Sequence, residues 1–114
     1  MCEHNLYSIL QPECLVLTGI TETLKVGELA LEYGKKVVPH NGYVKLGLIA
    51  HMHMVASWPH APYLELIHDP PIGDHRNFFS IMVNPPEMTA DGCLIMPDGP
   101  GLGVEIRQDL VIDD

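Results

Sequence analysis

The chain has 114 residues, which is enough for one modest domain. Its formal net charge is −9 with only 6 Lys and Arg, so it has no basic cluster that could neutralise phosphates, and we expect no nucleic-acid partner. No apolar run approaches the roughly 18 residues of a membrane span, and the first residues have no secretory-signal character. The three cysteines, Cys2, Cys14 and Cys93, form no CxxC pair, which predicts free thiols and a cytoplasmic protein.

The first predicted elements are a strand and a helix. A largely apolar run over residues 7–13 indicates the strand, and Pro12, which has no backbone donor, marks its end. We place the helix N-cap at Thr21 and the C-terminal stop at Gly34. Between them, apolar or small residues recur at helical spacing: Leu24, Gly27, Ala30 and Leu31. Because glycine inside a helix costs about 1 kcal/mol relative to alanine, Gly27 predicts a close packing contact.

A second strand and a second helix follow. The β-branched run 37–40 predicts a buried strand that ends in a histidine, and Asn41-Gly42 predicts a turn. The helix runs from about Val44 to Ser57 and stops before Pro59. One stripe of it carries Leu46, Ile49, Ala50 and His53. The third predicted strand covers residues 63–67.

The rest of the chain has a different pattern. Residues 68–74 have loop composition, Asp91-Gly92 predicts a hairpin turn, and the stretch 98–106 is interrupted by glycines. No helix follows these glycines, so they indicate a tight turn rather than a dinucleotide-binding loop. We therefore expect strand and helix units over about 1–67, and a loop, a hairpin and a tail over 68–114.

An ionisable side chain stands at the end of each of the three predicted strands: Glu13, His40 and Glu65. They are separated by 27 residues (13 to 40) and 25 residues (40 to 65), close to the roughly 30 that a strand, a helix and two loops require. Successive parallel strands would present all three on one rim, which is the catalytic face of barrels of alternating strands and helices. A full barrel needs about 250 residues, so this chain would form only part of one.

Each of these side chains also has a structural interpretation. An imidazole titrates near neutrality and suits a general base, but His40 could also cap a loop. Glu13 could orient that imidazole or be an exposed strand-end carboxylate, and Glu65 could bind substrate or be a structural loop carboxylate. His51 and His53 face nearly opposite sides of a helix, and adding His60, His68 and His75 produces no known ligand spacing. We therefore interpret all five as surface or core histidines rather than metal ligands.

Several short blocks stand in a fixed order along the chain: Gln11-Pro12-Glu13, Gly19-Ile20-Thr21-Glu22, Tyr33-Gly34, Val37-Val38-Pro39-His40, Leu64-Glu65 and Pro100-Gly101-Leu102-Gly103-Val104-Glu105. Together they resemble the C-terminal part of the enolase superfamily, in its mandelate racemase and muconate lactonizing enzyme branch. The matched part is strands six to eight plus the C-terminal tail. The resemblance implies an α/β fold, the C-terminal part of a (β/α)8 TIM-type barrel in which parallel strands alternate with helices.

The resemblance also implies a chemistry and a role for each residue. In this family a carboxylate substrate loses the proton next to its carboxyl group, and magnesium stabilises the resulting enediolate. His40 stands at the position of the base, and Glu65 at that of the glutamate that hydrogen-bonds the substrate carboxylate. Glu13 stands at the position of the orienting carboxylate, which is usually an aspartate. The family's magnesium ligands lie on strands three to five, so we expect none in this chain.

Our functional hypothesis is a C-terminal piece of a magnesium-dependent acid-sugar dehydratase or racemase-like enzyme that is inactive alone. The substrate of the complete enzyme would be a small carboxylate, a sugar acid. The open sheet edges would be covered by the missing barrel half or by a second copy in a homo-oligomer. A non-catalytic half-barrel interaction module and the product of a truncated reading frame are the alternatives.

Overall fold

The computed structural model of the protein describes residues 2–16, 19–42 and 45–111. The chain forms two compact units, the N-terminal unit, Met1–Leu66, and the C-terminal unit, Ile67–Asp114. None of the helices in the described ranges has the length and apolar character that crossing a membrane requires. The elements are a 3₁₀ turn at Cys2–His4, β1 at Ile9–Leu10, α1 at Ile20–Glu32, β2 at Lys36–Val37, α2 at Lys45–Ser57, α3 at His75–Phe78 and a 3₁₀ turn at Gln108–Leu110.

β1 and β2 are parallel, as the sequence predicted. Ile9 is in register with Lys36, and Leu10 with Val37. Backbone hydrogen bonds extend this pairing beyond the strands, because the His40 N–H donates to the Pro12 carbonyl at 3.0 Å. The ends of the first two predicted strands therefore lie side by side.

The third predicted strand, at residues 63–67, is wrong. Residues 61–68 run without helix or strand, and Tyr63 is 72% exposed. The segment is held to β2 by isolated contacts instead of a ladder: the Val37 N–H donates to the His60 carbonyl at 3.3 Å, and Asn41 contacts Glu65. An apolar run is enough to predict a strand, but the strand forms only where a regular set of backbone partners is available.

The first helix begins two residues earlier than predicted. Its N-cap is Gly19, which has a φ of 108°, and not Thr21, which lies within the first turn. The buried Thr23 hydroxyl donates to the Gly19 carbonyl at 3.0 Å. Gly34 follows the helix with a φ of 63°, which confirms the predicted left-handed stop. Leu31, placed on the apolar stripe, is 49% exposed.

Gly27 is the closest packing point of this helix, as predicted. A Cβ added there would lie 2.3 Å from Cε2 of Trp58. His60 donates from Nε2 to the Gly27 carbonyl at 2.9 Å. The missing side chain at Gly27 therefore lets the indole lie directly against the helix backbone.

The second helix, α2, is buried on nearly every side. Its buried residues are Gly47, Leu48, Ile49, Ala50, His51, Met52 and Met54. The predicted single stripe is therefore wrong, since Leu46 within it is 38% exposed and His51 outside it is completely buried. A helix that is apolar all round belongs to a core rather than to a surface. The predicted start at Val44 lies outside the described residues.

The described residues of the C-terminal unit form three isolated antiparallel bridges, one of them between Asp69 and Gly73. Met88 bridges to Leu94 around Gly92, which has a φ of 85°, and this confirms the predicted hairpin turn. Residues 81–83 pair with residues 105–107, and the Val83 N–H donates to the Glu105 carbonyl at 2.8 Å. The tail is thus fixed within its own unit.

Candidate active site

Glu13 and His40 meet where the parallel pairing ends. Glu13 Oε2 lies 3.5 Å from Nδ1 of His40, a distance at which an imidazolium and a carboxylate attract each other. The His40 side chain is 54% exposed, whereas that of Glu13 is 11% exposed. The glutamate, which stands where the family pattern usually has aspartate, therefore reaches the imidazole from a largely buried position. The imidazole itself remains open to a small molecule.

The second oxygen of Glu13, Oε1, is held by a backbone N–H group. Oε1 accepts a hydrogen bond from the Leu15 N–H at 3.1 Å and lies 3.5 Å from Nε2 of His51. Because each oxygen faces a different partner, rotation of the carboxylate would break contacts on both sides. This arrangement fixes the oxygen that faces His40.

Glu65 lies at the same end of the sheet. Its Oε2 accepts a hydrogen bond from the backbone N–H of Asn41 at 2.7 Å, and the Asn41 side-chain amide donates to the Glu65 carbonyl at 3.2 Å. Asn41 directly follows His40 in the chain. The structure thus brings all three predicted residues to one end of the parallel pair.

His51 is a core histidine, one of the two interpretations that the sequence left open, and it also borders this site. Its side chain is completely buried, and Nε2 accepts the Cys14 N–H at 3.1 Å. Burial lowers the pKa of His51 because it disfavours the charged ring; Glu13 opposes this effect, and the nearby His40 adds to it. His51 therefore lies next to Oε1 of Glu13 as a neutral ring. The sequence signal for the role of His51 was a polar side chain within a largely apolar helix, because such a side chain needs a hydrogen-bond partner when it is buried.

Cys14 also lies beside Glu13. Burial and the negative charge of Glu13 raise the pKa of the Cys14 thiol. The protonated thiol is a poor nucleophile and a poor metal ligand, so the cysteine contributes packing and its backbone N–H. Cys14 and Cys93 are both free thiols, as predicted. The Cys2 side chain lies outside the described residues.

The arrangement of a carboxylate and an exposed imidazole beyond the ends of β1 and β2, with a second carboxylate bound to Asn41, agrees with the order of the sequence blocks. The sequence pattern of the enolase C-terminal domain-like family matches residues 1–110. The chain belongs to this family. Its fold is accordingly the C-terminal part of a TIM-type barrel, in the mandelate racemase and muconate lactonizing enzyme superfamily.

Relatives of this enolase-family chain include enzymes that act on sugar acids or their lactones. It is 29% identical to the D-galactarolactone cycloisomerase of Agrobacterium fabrum, covering 92% of this chain and 29% of that protein. It is 32% identical to the D-galactonate dehydratase of Verminephrobacter eiseniae, covering 93% and 28%. The chain thus spans less than a third of the length of these curated relatives.

Solved structures show the same relationship. The mandelate racemase/muconate lactonizing enzyme-like protein of Roseovarius sp. TM1035 superposes with a TM-score of 0.81 at 27% sequence identity. The match covers 96% of this chain and 26% of that one. The two units described above therefore each correspond to a part of a larger enolase-family fold.

The described residues do not fit the magnesium ion that the family implies. Magnesium prefers octahedral coordination by oxygen atoms, chiefly from carboxylates and water. Within the described ranges, two clusters bring three potential ligands together: Glu13, Cys14 and His51, and His68, Asp74 and His75. Each cluster contains one carboxylate, and its other two donors are nitrogen or sulfur. Neither resembles a magnesium site.

Proposed function

We propose that this chain supplies the general base and the substrate-carboxylate contact of an enolase-family enzyme. The complete enzyme would remove the proton next to the carboxyl group of a sugar acid, as a dehydratase or a racemase-like enzyme. The observation that carries this proposal is the contact between Glu13 and the exposed His40, at 3.5 Å, beside the residue that binds Glu65. The names of the curated relatives support the substrate class.

In the proposed reaction His40 accepts the proton from the carbon next to the carboxylate. The imidazole then becomes positively charged, and the carboxylate of Glu13 stabilises that charge and holds the ring in position. The hydrogen bond that Oε1 of Glu13 accepts from the Leu15 N–H holds the carboxylate in place before substrate arrives. The base is therefore preorganised, which lowers the free energy needed to reach the transition state.

Glu65 is proposed to contact the substrate carboxylate through a hydrogen bond. The Asn41 N–H fixes Oε2 of Glu65 and hence the direction of the whole carboxyl group. Loss of the α-proton adds a second negative charge, which is shared with the substrate carboxylate, and a hydrogen bond donated to that group by a protonated Glu65 carboxyl becomes stronger as the charge develops. Glu65 would therefore favour the enediolate over the substrate.

We propose further that the complete enzyme uses magnesium, as the family resemblance implies, and that groups outside the described residues bind it. The described residues offer no oxygen-rich set of ligands. The chain by itself should consequently be inactive, because electrostatic stabilisation of the enediolate is the largest part of catalysis here. Incubating the purified chain with D-galactonate and magnesium should give no dehydration product; clear turnover would contradict this part of the proposal.

A chimaera tests the roles of the residues. This chain would replace the matching C-terminal segment of the D-galactonate dehydratase of Verminephrobacter eiseniae, and loss of the α-proton in D₂O would be followed by NMR. We expect His40→Asn to slow exchange by about 10²–10⁴-fold, the range typical of a lost general base. His53→Gln, the same class of change on α2, should leave exchange within about twofold. A folded chimaera whose exchange is unaffected by His40→Asn would show that another group is the base.

An interaction module is the second candidate function. Large apolar side chains are exposed in the first part of the N-terminal unit, among them Val16 at 77% and Leu6 at 65%. Such a patch favours contact with another protein surface, supplied by a second copy or by the remaining barrel strands.

The free thiols of Cys14 and Cys93 agree with a reducing compartment, and we propose a cytoplasmic location on that basis.

A further inference from the structure

A tight loop in the C-terminal unit brings together His68 and His75, which are seven residues apart in the sequence. Asp69 and Gly73 exchange two backbone hydrogen bonds, of 2.9 and 2.8 Å, and so close the loop between them. Gly73 favours this closure, because an added Cβ would lie 3.1 Å from the Asp69 carbonyl oxygen, closer than an ordinary van der Waals contact. The residues that flank the closed pair, His68 on one side and Asp74 and His75 on the other, are consequently neighbours.

The three side chains point their donor atoms at one another. Nδ1 of His68 lies 3.0 Å from Nδ1 of His75, which in turn lies 3.6 Å from Oδ1 of Asp74. Two nitrogen ligands about 2.1 Å from one tetrahedral ion are separated by roughly 3.4 Å, so the two rings are already within a few tenths of an ångström of ligand spacing. All three donor atoms lie within 4.8 Å of one another.

We propose that His68, Asp74 and His75 bind a divalent transition-metal ion of the zinc class. Two imidazoles and one carboxylate form a common ligand set for such an ion and leave a fourth position for water. Imidazole nitrogen selects zinc, copper or nickel over magnesium, which prefers oxygen. This site shares no residue with the group formed by Glu13, His40 and Glu65, and the inference does not depend on the proposed enzymatic function.

Neighbouring groups hold the ligands ready. The Arg76 guanidinium contacts both oxygens of Asp74, at 3.0 Å from Nε and 2.5 Å from Nη2, and the Arg76 N–H donates to Oδ1 at 3.0 Å. Ligating carboxylates in metal sites are typically oriented by such outer partners. The side chains of His75 and Asp74 are 19% and 13% exposed, whereas His68 is exposed, so an ion can enter from solvent on the His68 side. The net charge of −9 also attracts cations.

Zinc titration of the purified chain tests this site directly. Zinc chloride would be added in a buffer that does not bind the ion, and histidine ring resonances would be followed by NMR. We expect the Cε1–H signals of His68 and His75 to shift together at one equivalent of zinc, before those of His4 and His40, while magnesium chloride shifts neither. Shifts that first affect other histidines, or that need a large excess of zinc, would overturn the proposal.

Variants provide a second, independent measurement by calorimetry. His75→Gln and His68→Gln should each weaken zinc binding by roughly tenfold or more, since even loss of an outer-sphere partner costs 10–100-fold. Asp74→Asn should weaken it as well. The controls are His4→Gln, an exposed histidine in the N-terminal unit, and Asp98→Asn, an exposed acid elsewhere in the C-terminal unit. Unchanged zinc affinity in the double variant of His68 and His75 would refute the site even if one single variant failed to fold.

Discussion

One carboxylate in the N-terminal unit contacts two imidazoles that have opposite surroundings. Glu13 faces the largely exposed His40 through Oε2 and the completely buried His51 through Oε1. The buried ring is kept neutral and accepts the Cys14 N–H, so it cannot share that nitrogen with a proton. The proposed proton transfer is therefore assigned to the exposed ring, His40. His51 therefore has a structural role, and His40 has the proposed catalytic one.

The buried imidazole of His51 predicts a loss of stability in acid. Burial lowers its pKa from 6.5, so below that pH the unfolded chain binds more protons than the folded one. The contribution to the free energy of unfolding is therefore complete above pH 6.5 and decreases as the pH falls towards the folded pKa. His51→Gln keeps an acceptor for the Cys14 N–H but does not titrate, and should flatten this part of the curve.

Urea unfolding between about pH 5 and pH 7.5 measures this effect for His51. The matched control is Leu46→Gln on the same helix, which places a glutamine on α2 without removing a titratable group and should keep the wild-type dependence on pH. Identical slopes for the wild type and His51→Gln would mean that the buried ring is not the group responsible.

At the scale of elements, the contact between α1 and Trp58 predicts an unusual response to alanine. In an exposed helix, Gly→Ala stabilises by about 1 kcal/mol. At Gly27 the new methyl group would lie 2.3 Å from a rigid indole carbon, and overpacking of this kind typically costs about 1–3 kcal/mol. Because the clash outweighs the propensity, Gly27→Ala should lower the free energy of unfolding measured in urea.

A double-mutant cycle identifies the cause of this loss. In a Trp58→Leu background the indole atoms that meet the added methyl group are absent, so Gly27→Ala should be much less destabilising or even favourable. If Gly27→Ala costs the same in both backgrounds, the indole contact does not explain the glycine.

The elements that the sequence predicted correctly depend on local chemistry. Gly34 stops α1 and Gly92 turns the hairpin because each adopts a positive φ that glycine tolerates. The errors concern contacts with distant residues. Whether residues 63–67 form a ladder depends on partners elsewhere in the chain, and whether His51 is buried depends on what covers each side of α2.

At the scale of the whole molecule, the ordered sequence blocks indicated the family by resemblance, and the spacing of Glu13, His40 and Glu65 predicted that these residues meet at one end of the parallel pair. Parallel pairing fixes which ends coincide, so spacing along the chain translates into position. The cluster of His68 with His75 could not be predicted in this way. Its ligands become neighbours only because the loop between residues 69 and 73 closes, and ligand spacing along the sequence gave no sign of it.

The apolar surface of the N-terminal unit predicts that the isolated chain associates with itself. Its exposed large apolar side chains near β1 are Leu6, Tyr7, Ile9, Leu15 and Val16. Among the described residues β1 pairs only with β2, so its other edge has unpaired backbone groups that can template a second chain. Sedimentation velocity over a range of concentrations should reveal oligomers, and association should strengthen with salt because the net charge of −9 opposes it.

Lysine substitutions test which surface is responsible for the association. Burying one isoleucine or valine contributes about 1.5–3 kcal/mol, so Ile9→Lys combined with Val16→Lys should weaken the oligomer by roughly tenfold or more. Ile72→Lys is the matched control, because that side chain is 91% exposed but belongs to the C-terminal unit. It adds one positive charge where the double variant adds two, and it should leave association nearly unchanged. If Ile72→Lys weakens the oligomer equally, the effect is due to charge. A wild-type chain that stays monomeric at every concentration would show that the exposed apolar surface needs no partner.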